Sequence, residues 1–244
     1  MISAKEYFEQ YLSWQRSESN LRTAGKTYES YTAMSLADLQ PEAEAGNPAA
    51  QQELGERYLF GLDGLGKDTD RAVDLFRQAA EQGNPDSAHM LAEIHRTPEF
   101  GKFDYDRYFP LLQKAAEAGS WKAMFNLACA YYKGKDAYDG HGFESDRLTA
   151  LKWSTKCMLL TMELLEFYNS NKCGEGFQDY MQGVYALFVQ SVNVSARQLI
   201  RGDGVPKDTA WAREMLQKAQ SFYRHIFKSD CPDFTALLGH CDGE

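Results

Sequence analysis

Residues 64 to 83 read GLGKDTDRAVDLFRQAAEQG, and 140 residues further on residues 204 to 220 read GVPKDTAWAREMLQKAQ. Lys67-Asp68-Thr69 recurs as Lys207-Asp208-Thr209, and Ala72, Leu75 and Ala79 recur in register as Ala212, Met215 and Ala219. Intermediate copies exist. Ala79-Ala80-Glu81-Gln82-Gly83 reappears at a shift of 36 as Ala115-Ala116-Glu117-Ala118-Gly119, and Leu54 maps to Leu91 and then to Leu127. Upstream, Glu44-Ala45-Gly46-Asn47-Pro48 matches Glu81-Gln82-Gly83-Asn84-Pro85 at a shift of 37. A period near 36 predicts stacked structural units, at least four of them with one degenerate.

The spacing inside a unit is helical. Ala50, Leu54 and Tyr58, then Ala72, Leu75-Phe76 and Ala79, fall at steps of three and four, which gives each of two short helices one apolar stripe. The Gly61-Leu62-Asp63-Gly64 turn separates them, Asp68 stands at a helix N-cap, and Gly46, Gly83 and Gly119 stand where helices end. One pair of short helices cannot bury its own stripe, so the units must stack.

Composition narrows the class. At 244 residues with 43% apolar and 25% charged side chains, the chain has material for a continuous core. No run reaches the roughly 20 apolar residues of a membrane helix; the most apolar, CMLLTMELLEFY at 157 to 168, carries Glu163 and Glu166 and reads as a buried helix. Lys5, Glu6 and Glu9 interrupt the N-terminus where a signal peptide keeps its apolar core, so a cytoplasmic protein is expected. Cys129, Cys157, Cys173, Cys231 and Cys241 are odd in number and lack a C-x-x-C pair, against a disulfide framework or structural zinc. The net charge of -9 disfavours nucleic acid and anionic membrane and favours a protein partner with a basic surface.

Together the motifs L-G-x-x-Y, G-x-G-L/V-x-K-D and A-x-x-L-F/L-x-x-A-A-x-x-G resemble the Sel-one-like repeat family, α/α relatives of the tetratricopeptide repeat. The resemblance implies an all-α, right-handed α/α superhelix of helix pairs and adaptor or scaffold work, often bacterial, without catalysis. It divides a single solenoid domain into an N-terminal helical cap and degenerate unit (1–48), repeats at 49–84, 85–120 and 121–169, a long helix and final repeat (170–228) and a C-terminal tail (229–244). Pro110 is expected to shorten the second helix of the second repeat. In the third, Gly134 to Asp146 spans 12 residues where Gly61 to Asp68 spans 7, so KGKDAYDGHGFESD (133–146) is an insertion. The helix after it is expected to run to about Tyr168, and another from about Phe177 to Arg201.

Several motifs mislead. Gly61 to Lys67 fits G-x-x-x-x-G-K, but Asp68 replaces the Ser or Thr that holds magnesium and a helix precedes it. Arg201-Gly202-Asp203 looks like a cell-adhesion tripeptide but falls on the repeat turn, and Asn193-Val194-Ser195 matches a glycosylation acceptor with as little force. His89, His95, His141, His225 and His240 form no triad or ligand set, and His95 takes the place of Tyr58 and Tyr131. Cys231, His240 and Cys241 make a weak metal case on a tail, so neither metal nor cofactor is expected.

The surface remains. In tetratricopeptide-type solenoids the first helices line a concave face, and the resemblance implies that positions two before and two after the repeat leucine point into it. Those are Gln52 and Glu56, His89 and Glu93, Phe125 and Cys129 and, by a fainter alignment, Asn193 and Arg197, with Tyr132 and Lys133 one turn beyond Phe125. The insertion is expected to flank this row as an arm. A general adaptor, a dedicated inhibitor such as an immunity protein against a basic intracellular toxin, and an enzyme or metal protein hidden in the divergent middle are the competing classes, in that order.

Overall fold

The computed structural model describes Tyr31 and residues 33–171 and 178–242. Nearly all of the N-terminal cap expected before residue 35, and Cys173, lie outside the described residues. Those described form ten α-helices and no strand: α1 (Leu36–Glu44), α2 (Pro48–Phe60), α3 (Thr69–Glu81), α4 (Pro85–Arg96), α5 (Tyr105–Glu117), α6 (Trp121–Lys133), α7 (Arg147–Asn171), α8 (Gln178–Arg201), α9 (Thr209–Phe227) and α10 (Pro232–Asp242). The chain divides into two compact units. Among the described residues, an N-terminal unit comprises Tyr31 and residues 33–124 and 138–142; a C-terminal unit comprises 125–137, 143–171 and 178–242.

One device closes every helix pair. The second helix begins at an aspartate whose carboxylate accepts from a backbone N–H within its own first turn: Asp68 from Arg71, Asp104 from Asp106 and Arg107, Asp146 from Thr149, Asp208 from Trp211. The backbone N–H of the same aspartate donates back to the end of the first helix, to Tyr58 O (2.9 Å), His95 O (2.8 Å), Tyr131 O (2.9 Å) and Leu199 O (3.0 Å). The first helices are capped too, by Asn47, Asn84 and Ser120, the two asparagines each followed by a proline at the first helical position.

In the N-terminal unit consecutive helices from α1 to α5 pack in chain order. Leu59, Ala72 and Phe76 of the first repeat share one core cluster with Leu91 and Ile94 of the second, so neither repeat has a core of its own. The glycine of the L-G-x-x-Y motif has a steric cause: a Cβ on Gly55 would lie 2.8 Å from Cε1 of the fully buried Phe76 ring. Pro110 does not shorten its helix. α5 spans 13 residues, as α3 does, with Pro110 inside it, because Asp104 caps the start and buried Tyr108, Phe109 and Leu112 hold the turns on either side.

In the C-terminal unit α7 and α8 are long antiparallel partners, with buried hydroxyls of Ser154 and Ser195 2.8 Å apart between them. The α8 stripe, Val184, Phe188, Val192, Ala196 and Leu199, is wholly buried. The final repeat copies the first: Gly202 and Gly204 turn the chain with φ of 68° and 69°, and Asp208 starts α9. Where a tail was expected after 229, α10 packs on α8 and α9 through Phe234, whose ring meets Phe188 edge-on at 5.8 Å.

Candidate protein-binding surface

In the N-terminal unit α2 and α4 set out Gln52, Glu56, His89 and Glu93. Gln52 and His89 are buried, at 6% and 7% exposure, and their polar atoms are used within the fold. Gln52 Oε1 accepts from Asn84 Nδ2 at 3.0 Å and its amide donates to Glu56 Oε1 at 3.2 Å, so the head of one repeat is stitched to the flank of the one before. His89 Nε2 lies 3.5 Å from Glu93 Oε1, and Arg96 Nε donates to Glu93 Oε2 at 3.0 Å. Residues flanking the repeat leucine thus face the seam between first helices, and polar groups there bond to one another.

The two acids of the row differ in charge state. Burial pushes the Glu56 carboxyl up to about 7; the Gln52 hydrogen bond and Lys122 oppose the rise, and Glu53 and Asp86 add to it. Burial acts on Glu93 in the same sense, but hydrogen bonds from His89 and Arg96, and then their charge, hold it at about 2. Beside Glu56, Asp86 Oδ1 is buried and accepts no hydrogen bond.

In the C-terminal unit Phe125 and Cys129 are half-buried, and burial raises the Cys129 thiol. Tyr132 is half-exposed and engaged within the fold. Its hydroxyl donates to Asp203 Oδ2 at 2.6 Å and the Arg147 guanidinium lies 3.6 Å over its ring, which joins the third repeat to the turn of the last. Asp203, the acid of the adhesion-like tripeptide, is thereby a packing residue. Asn193 donates to Asp233 Oδ2 at 3.0 Å, and Arg197 is exposed. Within the two units the structure therefore brings together Gln52 with Glu56 and His89 with Glu93.

The insertion meets both helices of its neighbourhood: Phe143 stacks on Tyr131 of α6 at 4.3 Å. Residues 138–142 pack on α5, a second helix. Tyr138 meets Phe109 edge-on at 5.1 Å, His141 Nδ1 is 2.8 Å from Asp106 Oδ1, and Gly142 passes so near Phe109 that a Cβ there would sit 2.5 Å from the ring. Spacing also missed the large apolar side chains left in water: Phe60, Leu62 and Phe103 of the N-terminal unit and Phe227 of the other. Phe60 and Leu62 flank Gly61 at the end of α2. Cys231 and Cys241 are buried, and among the described residues no cluster of His, Cys, Asp or Glu could hold a metal ion.

Comparison with known proteins places these helix pairs. A family model described as Sel1 repeat matches residues 48–84, 109–120, 121–156 and 199–219. Those matched stretches are Sel1 repeats, and the described residues form an all-α fold of helix pairs. It is 39% identical over 57 residues, 23% of its length, to the ERAD-associated E3 ubiquitin-protein ligase component HRD3A of Arabidopsis thaliana, and 31% identical over 87 residues, 36% of its length, to chitin synthase regulatory factor 3 of Schizosaccharomyces pombe. The matches span 8% and 9% of those proteins. Among solved structures, a Sel1 repeat protein from Oxalobacter formigenes aligns with a TM-score of 0.46 at 27% identity over 53% of this chain and 94% of its own. A protective antigen of uropathogenic Escherichia coli with an SLR fold aligns with a TM-score of 0.45 at 19% identity over 98% of this chain and 63% of its own.

Proposed function

We propose that this chain is a non-enzymatic adaptor of the cytoplasm that binds a basic protein partner through its N-terminal unit. Sel1 repeat proteins work by protein–protein interaction, and the two curated relatives are named as a ligase component and a regulatory factor. The observation that carries the choice of partner is the distribution of charge. The described residues of that unit, 31, 33–124 and 138–142, hold 17 Asp and Glu against 9 Lys and Arg, a net -8 where the whole chain carries -9. A field concentrated in one unit steers an oppositely charged partner to it.

The test is affinity capture with the intact protein, followed by association kinetics of the purified partner. Between 50 and 500 mM salt the association rate constant is expected to fall about tenfold or more while dissociation changes little. A partner that associates at a salt-independent rate overturns the reading. The same charge suits an inhibitor of a basic toxin, and the two roles separate on one measurement: an inhibited toxin loses its activity in the complex, whereas an adaptor's partner keeps it.

A further inference from the structure

We propose that two consecutive inter-helix turns of the N-terminal unit, residues 60–65 and 98–105, form the docking surface for a basic amphipathic segment of that partner. Phe60, Leu62 and Phe103 are 44%, 47% and 49% exposed, which places on these turns three of the four large apolar side chains left in water among the described residues. The turns are joined. Phe60 packs edge-on against Phe100 at 6.0 Å, and Lys102 Nζ lies 2.6 Å from Asp70 Oδ1.

The backbone that presents them is fixed. Gly61 and Gly101 take φ of 70° and 72°, the left-handed region open to glycine. Leu62 N–H donates to Arg57 O at 2.9 Å, and the buried Arg57 guanidinium reaches Asp63 at 2.8 Å. The aspartate clamps at Asp68 and Asp104 close both turns. Apolar groups held outward by a rigid frame bind without the entropic cost of ordering a loop.

Area and charge choose the occupant. Three half-exposed side chains offer on the order of 300 Å², well short of the ~800 Å² per partner of a stable dimer. Two copies would also bring together two units of the same net negative charge. An anionic membrane is repelled for the same reason. A segment with a few apolar anchors on one face and Lys or Arg on the other fits both the small anchor area and the surrounding field.

The inference rests on the proposed binding of a basic partner, and the experiment separates the two. Three 16-residue helical peptides serve as probes: Leu on one face with Lys and Arg on the other, the same with Leu replaced by Ser, and the same with the basic residues replaced by Glu. Affinity is read by fluorescence anisotropy on the intact protein and location by a benzophenone on the apolar face. The expected result is that only the first peptide binds well, crosslinks within 60–65 or 98–105, and loses tenfold or more in affinity with Phe60→Ser/Phe103→Ser. Crosslinks to wild-type protein need no variant to fold. Equal affinity of the Ser peptide, or crosslinks elsewhere, overturns the docking surface while the preference for a basic partner stands. Binding of neither basic peptide, or of the acidic one, overturns both.

Discussion

At the scale of the residue, two side chains carry the most pointed consequences. Gly55→Ala gains about 0.5–1 kcal/mol of helix propensity, yet its Cβ must enter a fully buried Phe76 ring, and overpacking costs ~1–3 kcal/mol. The net is expected to be destabilising by chemical denaturation, and the cost should shrink in a Phe76→Leu background, where the ring is gone. Glu56 gives a pH signature. Its folded pKa of about 7 lies above the ordinary carboxylate value, so the unfolded chain ionises first. Stability is therefore unaffected below pH 4.5, lost progressively from 4.5 to 7, and constant above. Glu56→Gln keeps the shape and should stabilise by about 1–3 kcal/mol at pH 8 and by nothing at pH 4.5. An equal effect at both pH values would show that burial does not govern this carboxyl.

At the scale of the element, proline and aspartate can be set against each other. Pro110 removes one hydrogen bond from the middle of α5 and opposes the carbonyl of Asp106, a cost of up to ~3 kcal/mol partly offset because proline also restricts the unfolded chain. Pro110→Ala should therefore raise stability by about 1–2 kcal/mol in thermal unfolding, with α5 unchanged in length. Asp208→Ala removes the cap of α9 and should lower stability by about 0.5–2 kcal/mol. Helices, caps and period were legible in the sequence because each depends on residues within one turn of one another. Length of α5 was not, since burial of Tyr108, Phe109 and Leu112 outweighs a local breaker. Nor was the site. The resemblance put Gln52 and His89 on the surface, whereas packing buries them: Glu56 and Glu93 stand one turn on in the same helices, and Asn84 is brought to Gln52 from the next repeat. The seat of the insertion was equally hidden, because nothing within 133–146 names Phe109 or Asp106 as its partner.

At the scale of the whole molecule, the shared core of the first two repeats makes their stabilities inseparable. Leu91→Ala leaves a cavity worth about 2–5 kcal/mol and removes a neighbour of Leu59 and Phe76. Hydrogen exchange should quicken in 49–84 as well as in 85–120; protection unchanged in 49–84 would mean that each repeat stands alone. The aspartate clamp has a wider meaning for how such a chain is rewritten over generations. Its donor and acceptor are nine or ten residues apart in three of the pairs and fifteen in the other, at hydrogen-bond lengths within 0.2 Å. A hairpin locked at its neck no longer depends on what is spelled in its head. Doubling the length of such a connector costs only about 0.6 kcal/mol, so the turns are free ground for novelty, open to acquiring new text while the grammar of the stack is kept.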